Sequence, residues 1–214
     1  MTAPPLEVGL GAGATDAARA GVEQSGGFAG GEGEELLRRG GAAEAHLLFG
    51  DLPTAIAEAR ACLGLMKNQA PVAWFIHPGV SGAANVLIEA TERARRAKGA
   101  DAALLGREAA DAVKHLAGFA KMHPFAVPTS LASRGRLQAV TGAGGAARTL
   151  KRAIESAHAA QMPWEAARAE LDLAALVGDD PGPRLDRAEA TALRIGAQPL
   201  LQRIRDARNR LRRS

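Results

Sequence analysis

Side chains that could support catalysis or metal binding are few in this chain, and they are scattered. The histidines are His46, His77, His115, His123 and His158, and the single cysteine is Cys62. A metal site needs several ligands at short spacing, for example two histidines at i and i+4 on one helix, and no such pair occurs here. The sequence therefore predicts neither a metal site nor a bound cofactor.

Three short motifs resemble catalytic or phosphate-binding elements, but each lacks the structural context that it needs. Residues 79–83 (Gly-Val-Ser-Gly-Ala) differ from a nucleophile elbow because Ala83 stands where the second glycine should be and no strand precedes them. Glycines at 9, 11 and 13 have no preceding strand, so they indicate a linker rather than a phosphate loop. Asp179 and Asp180 lie beside a glycine and prolines, which favours a turn. We expect no enzymatic activity.

The elements that position these residues are predicted by a proline period. Pro128, Pro163 and Pro199 stand 35 and 36 residues apart, each just ahead of an apolar pattern of helical period. A period of about 34 residues is typical of helix-hairpin repeats that stack into a solenoid. We predict an all-α fold, a tetratricopeptide-like α-solenoid of about four helix hairpins plus a C-terminal helix. A non-repeating helical bundle is the alternative.

Three segments follow from this pattern. Residues 1–33 contain nine glycines and no sustained period, so we expect them to be disordered. Residues 34–198 form the helical-repeat domain, and residues 199–214 form a basic C-terminal helix. The predicted helices cover 34–49, 53–66, 71–97 with an interruption at Pro78 and Gly79, 101–122, 128–141, 146–157, 163–174, 183–195 and 199–212.

The third hairpin shows the clearest packing pattern. Its second helix carries apolar residues at helical spacing, and Leu150 and Ala153 are predicted to face the partner helix. Gly135 on the first helix supplies the small residue that close helix packing requires. Arg148 and Lys151 are expected to be exposed.

Composition is consistent with an α-helical protein of the cytoplasm. The chain has 214 residues and no tyrosine. Its single cysteine rules out an internal disulfide and fits a reducing compartment. It contains neither an apolar run long enough for a membrane span nor the basic-then-apolar start of a secretory signal.

Several stretches of the chain resemble a known class of protein region. Residues 119–128 (Phe-Ala-Lys-Met-His-Pro-Phe-Ala-Val-Pro), the helix from Gly135 to Gly142, residues 162–173 and residues 194–197 look like the C-terminal tetratricopeptide-like region of bacterial multidomain signalling proteins. Those are class III adenylate or guanylate cyclases and related AAA-type ATPase regulators. Nothing here resembles their catalytic modules. The chain is therefore expected to be a separate small protein, a distal fragment of a larger one, or a sequence with a mispredicted start.

The resemblance implies a non-catalytic scaffold that mediates protein–protein interaction in signal transduction, with a protein or peptide partner and no membrane. First helices of successive hairpins line a groove in such stacks. The predicted partner-binding residues on these helices are Arg134, Gln138, Trp164, Arg168 and Leu171.

The C-terminal charge supports a second hypothesis. Residues 203–214 contain six arginines against one acid, which is +5, while the whole chain is +4. Such a helix can contact nucleic-acid phosphates, although a solvated basic helix end is the commoner case. A transcription-regulatory or nucleic-acid-binding protein is thus the alternative, using Arg203, Arg205, Arg208, Arg210, Arg212 and Arg213. Pattern and charge leave the oligomeric state open.

Overall fold

The computed structural model describes residues 31–68, 73–176 and 181–212. Within these ranges the chain is all-helical, with nine α-helices, two short 3₁₀ segments and no strand. The helices are α1 (Glu32–Leu48), α2 (Leu52–Asn68), α3 (His77–Arg96), α4 (Ala102–Met122), α5 (Val127–Thr141), α6 (Ala146–Ala159), α7 (Pro163–Ala174), α8 (Gly182–Arg194) and α9 (Gln198–Leu211). The 3₁₀ segments, Trp74–Ile76 and Pro124–Ala126, lead directly into α3 and α5.

The all-helical class is confirmed, and most predicted boundaries agree to within a few residues. The periodic prolines lie in the first turns of α5, α7 and α9, where the missing N–H costs nothing. Pro78 likewise lies in the first turn of α3. The prediction that Pro78 and Gly79 interrupt a longer helix is therefore wrong, because both residues belong to the start of α3. The disorder predicted for residues 1–33 falls almost wholly outside the described residues, as do parts of the breaks near 67–70 and 178–182.

Each helix packs against the next helix along the chain. The odd-numbered helices also contact one another, α1 with α3, α3 with α5 and α5 with α7, while α2 contacts α4. Helices α1, α3, α5 and α7 therefore form a continuous series, with the even-numbered helices packed beside it.

Glycines allow the closest of these contacts, between α1 and α3. A Cβ atom added at Gly40 would lie 2.0 Å from the carbonyl oxygen of Gly79, and one added at Gly79 would lie 2.4 Å from that of Leu36. Cys62 on α2 is buried beneath this crossing, with Sγ 3.5 Å from the Leu36 carbonyl oxygen. Burial raises the pKa of the Cys62 thiol to about 12, which marks it as a core residue rather than a reactive thiol.

The predicted packing of the third hairpin is confirmed. Leu150 and Ala153 are buried in a cluster with residues of α5 and α7, and Arg148 and Lys151 are exposed. Gly135 lies against Leu150, since a Cβ at this position would approach the Leu150 Cγ to 2.7 Å. The larger clusters lie among α1 to α4 and among α7 to α9.

The basic C-terminal helix is packed against the rest of the chain. Leu200, Leu201, Ile204 and Ala207 of α9 are buried in the same cluster as residues of α7 and α8. Removing the chain from residue 203 onward would therefore remove part of this core. Among the described helices, none combines the length and apolar character that crossing a membrane requires.

Candidate binding face of the odd-numbered helices

A series of polar contacts links the odd-numbered helices. Glu44 on α1 accepts a hydrogen bond from the Asn85 amide on α3 at 3.0 Å, and the Asn85 oxygen accepts one from Arg136 on α5 at 2.8 Å. Arg136 also pairs with Glu89, and with Glu92 at 3.2 Å. We call the connected set the polar ladder: Glu44, Asn85, Glu89, Glu92 and Arg136, together with Asp172 on α7 and Arg203 on α9.

Arg136 is the centre of this ladder. Its side chain is nearly buried, and although burial alone would disfavour the charge, the carboxylates of Asp172, Glu89 and Glu92 together raise the pKa of the guanidinium above its ordinary value. Burial is the largest single influence on the pKa of Glu89 and opposes its ionisation, but the charges and hydrogen bonds of Arg136 and Arg93 together outweigh it and lower the pKa of that carboxyl. The ladder is therefore held as charged, mutually compensating groups.

The ladder continues across α7 to α9. Asp172 accepts a hydrogen bond from Arg203 at 3.4 Å, and its charge also acts on Arg136. Burial is the main cause that lowers the pKa of Arg203, and the nearby positive charges of Arg136 and Arg168 lower it further. Three guanidinium groups thus converge on the same part of this face.

In the first halves of α3, α5 and α7, buried polar atoms lack hydrogen-bond partners within the described part of the chain. They are the His77 Nε2, Thr129 Oγ1, Ser133 Oγ, Glu165 Oε2 and Arg168 Nε atoms, and we call these five residues the unpartnered cluster. Thr129 is 1% exposed and Ser133 is 2% exposed. Native proteins leave few buried polar groups unsatisfied, and a functional role or a bound molecule is a standard reason for those that remain.

His77 connects the cluster to an aromatic group. The centroid of its ring lies 5.7 Å from that of Phe119, in a tilted arrangement, and 5.3 Å from that of Phe125, in an edge-to-face arrangement. Burial is the main cause that lowers the His77 pKa; Glu165 opposes this shift, and Arg168 and His123 add to it. Burial therefore favours the neutral imidazole of His77.

Exposed aromatic side chains lie beside the same helix ends. We call them the aromatic row: Trp74 and Phe75 before α3, Phe125 before α5, and Trp164 at the start of α7. Trp74 is 69% exposed and Trp164 is 38% exposed. Large exposed aromatics at one end of a helical array, next to unsatisfied polar atoms, are typical of an interaction surface.

The structure separates the five residues predicted to bind a partner. Trp164 belongs to the aromatic row and Arg168 to the unpartnered cluster. Leu171 is instead buried in the cluster among α7, α8 and α9, so it does not line a surface. Arg134 is exposed, and Gln138 is half-buried with an Oε1 atom that also has no hydrogen-bond partner in the described part of the chain. Both stand two positions from Arg136, about 200° away around α5. They lie on the opposite side of the helix from the ladder.

Sequence reasoning missed the buried polar residues of this face. Arg136 was not distinguished from Arg134 because both flank Gly135, and only the direction in which α5 faces α3 decides which arginine is buried. Thr129 and Ser133 gave no signal as site residues, since serine and threonine are common near helix starts.

The arginines of the basic tail divide into two groups. Arg203 pairs with Asp172, and Arg208 pairs with Asp186 at 2.6 Å and Glu189 at 2.8 Å, so both are used in joining α9 to the array. Arg205, Arg210 and Arg212 are exposed, and Arg213 lies outside the described residues.

Within the described residues, no group of three or more histidine, cysteine, aspartate and glutamate side chains is arranged to hold a metal ion. Comparison of the chain with protein-family models, curated proteins and solved structures gives no match.

Proposed function

We propose that this chain is a non-catalytic helical scaffold that binds a protein partner on the face formed by the odd-numbered helices. The observation that carries the proposal is the exposed aromatic row at the starts of α3, α5 and α7, where Phe125 contacts His77 of the unpartnered cluster. A partner segment would cover the exposed rings. The link to cytoplasmic signalling proteins with a cyclase or ATPase module is part of the same proposal, and it rests on the sequence resemblance.

The proposed architecture is an α-solenoid. Support comes from the contacts of each helix with its neighbour and of odd-numbered helices with the next odd-numbered helix. Stacked hairpins produce this pattern because each repeat contacts only adjacent repeats. A polar ladder at comparable positions of successive first helices is also expected from such a repeat.

The charge pattern of α9 favours a protein partner over nucleic acid. Arg203 and Arg208, two of the six tail arginines, already form ion pairs with carboxylates of α7 and α8. Phosphate contacts would fall to Arg205, Arg210 and Arg212 on the exposed side of the helix. Binding of DNA that weakens steeply with salt would favour the nucleic-acid alternative.

Site-specific photocrosslinking in cells tests the proposal. A photoreactive amino acid replaces Trp164 or Phe125 on the proposed face, and Arg148 or Lys151 on the outer side of α6 provides the control. We expect the same partner peptide to be crosslinked from both face positions and from neither control position.

Two results would contradict the proposal. Equal crosslinking from control and face positions would show that the aromatic row has no special role. Loss of partner capture in a triple Arg205→Glu, Arg210→Glu, Arg212→Glu variant, with crosslinking at Trp164 absent, would move the function to the basic helix. Charge reversal is preferred to truncation because Ile204 and Ala207 belong to the core.

A further inference from the structure

Four rings meet where α4 ends and α5 begins, and two of them are imidazoles. The ring of Phe119 on α4 lies 4.4 Å from that of His123 and 6.1 Å from that of Phe125, measured between centroids. The ring of His77, the first residue of α3, packs against both phenyl rings. We call His77, Phe119, His123 and Phe125 the ring cluster. It joins the start of α3 to the end of α4 and to the 3₁₀ segment that leads into α5.

The position of His77 disfavours a positive charge on its ring. The side chain lies in the first turn of α3, where the helix dipole presents its positive end. Its Nε2 atom is buried and has no hydrogen-bond partner in the described part of the chain. An imidazolium donates from both ring nitrogens, so protonation would leave a charged N–H group buried without an acceptor.

Charged groups on the neighbouring elements act on His77 in both directions. Burial is the largest cause that lowers its pKa, Arg168 and His123 add to that shift, and Glu165 opposes it. Helix α5 has no ionisable side chain before Arg134. The other ionisable side chains at the nearby helix ends are Glu32, Glu34 and Glu35 at the start of α1, Lys67 at the end of α2 and Lys121 at the end of α4. Among them, Glu35 is paired with Arg38, and Lys67 with Asp111.

We propose that the ring cluster is an acid-sensitive joint, in which protonation of His77 weakens its packing against Phe119 and Phe125 and loosens the corner between α4 and α5. Phe125 also belongs to the aromatic row, so acid would alter that surface in the same pH range. The inference goes beyond the proposed function and does not depend on it, because the joint is a property of the chain alone.

The pH dependence of stability provides the first test. The pKa of His77 is lowered from 6.5 in the folded chain, so below pH 6.5 the unfolded chain binds a proton that the folded chain does not. Stability is therefore complete above pH 6.5 and is lost as the pH falls toward the folded pKa. We expect the unfolding equilibrium constant in urea to rise by up to about tenfold per pH unit in this window.

Two variants assign the effect to His77. His77→Gln cannot take up the proton and should lose this part of the pH dependence, whereas His158→Gln, at an exposed position of α6, is the matched control and should keep it. Burial also lowers the pKa of His115, but that residue is present in every variant and cancels in the comparison.

Nuclear magnetic resonance of the histidine rings gives a measurement that does not require a change at His77. We expect its ring to titrate below 6.5 in the parent chain, and lower still in Glu165→Gln, because that substitution removes the charge that opposes the shift. Amide hydrogen exchange, corrected for its intrinsic pH dependence, should increase across residues 119–126 at pH 5.5 relative to pH 7.5, and more than it does in α6.

Three results would overturn the inference. The first is a His77 ring that titrates at or above 6.5 in the folded chain. The second is a pH dependence of unfolding that is the same in His77→Gln as in the parent. The third is acid-enhanced exchange that is no greater across residues 119–126 than in α6, which would show that the corner does not loosen. None of these measurements uses a partner, so the proposed function would stand or fall separately by its crosslinking test.

Discussion

Adjacent glycines on α1 allow a sharp test of the helix crossing that joins the first two hairpins. Gly40 and Gly41 are neighbours in the same helix, so Gly→Ala makes the same chemical change in the same backbone conformation. Space around Gly41 is open, with no atom within 4 Å of an added Cβ, whereas a Cβ at Gly40 would lie 2.0 Å from the Gly79 carbonyl oxygen. The two substitutions should therefore have opposite effects.

The magnitudes follow from helix propensity and overpacking. Gly41→Ala should raise the free energy of unfolding by about 0.5 to 1 kcal/mol, because alanine loses less backbone entropy on folding. Gly40→Ala brings the same gain in helix propensity, but the atom that its Cβ would strike is the backbone carbonyl oxygen of Gly79. Because real Cβ atoms stay at least 3.0 Å from such atoms, the crossing of α1 and α3 must open by roughly 1 Å. Overpacking of this kind costs about 1 to 3 kcal/mol or more, and the loss of packing around Cys62 adds to it.

Thermal unfolding followed by circular dichroism at 222 nm measures both variants against the parent chain. For a chain of this size, each kcal/mol corresponds to a shift of about 2 to 4 °C in Tm. We expect Tm to rise for Gly41→Ala and to fall for Gly40→Ala. If Gly40→Ala were as stabilising as Gly41→Ala, the close approach of α1 and α3 would be refuted.

Three further predictions concern the core, the ladder and the pH response. Leu150→Ala should lower the free energy of unfolding by about 2 to 5 kcal/mol, because the side chain is fully buried, whereas Arg148→Ala should change it little; equal effects in urea titrations would contradict the assigned face. Arg136→Met should lower the free energy of unfolding by up to about 3 kcal/mol, the lower end of the range for a broken buried ion pair, because Glu89 keeps some contact with solvent. In a double-mutant cycle, the same substitution should cost less when Glu89 is already replaced by glutamine. The Arg38 guanidinium lowers the pKa of Glu35 from 4.5 to about 2, so this carboxylate stabilises the fold above pH 4.5 and loses that contribution as pH falls toward 2. Unfolding of a Glu35→Gln variant should show a weaker dependence on pH across that window, and an unchanged dependence would refute the pairing.

Local signals in the sequence determined the helical fold. Prolines with a fixed φ and no N–H marked the starts of α5, α7 and α9, and Gly142 ended α5 in the left-handed region, at φ 74°. The apolar spacing around Leu150 identified the buried face of α6, because burial on a helix repeats every 3.6 residues. These features act within one or two turns of the chain, so they can be read without knowledge of the fold.

Tertiary structure alone decided which polar residues meet. Arg134 and Arg136 stand on either side of Gly135, and Arg134 was assigned from the sequence to the partner surface, but the contact of α5 with α3 buried Arg136 beside Asn85 and Glu89. Leu171 was assigned to the partner surface, but the packing of α8 and α9 covers it. The candidate site depends on the relative rotation and spacing of α3, α5 and α7, which is set by long-range contacts such as the glycine crossing at Gly40. No local pattern encodes that rotation, because the same helical periodicity fits more than one way of turning each helix toward its neighbours.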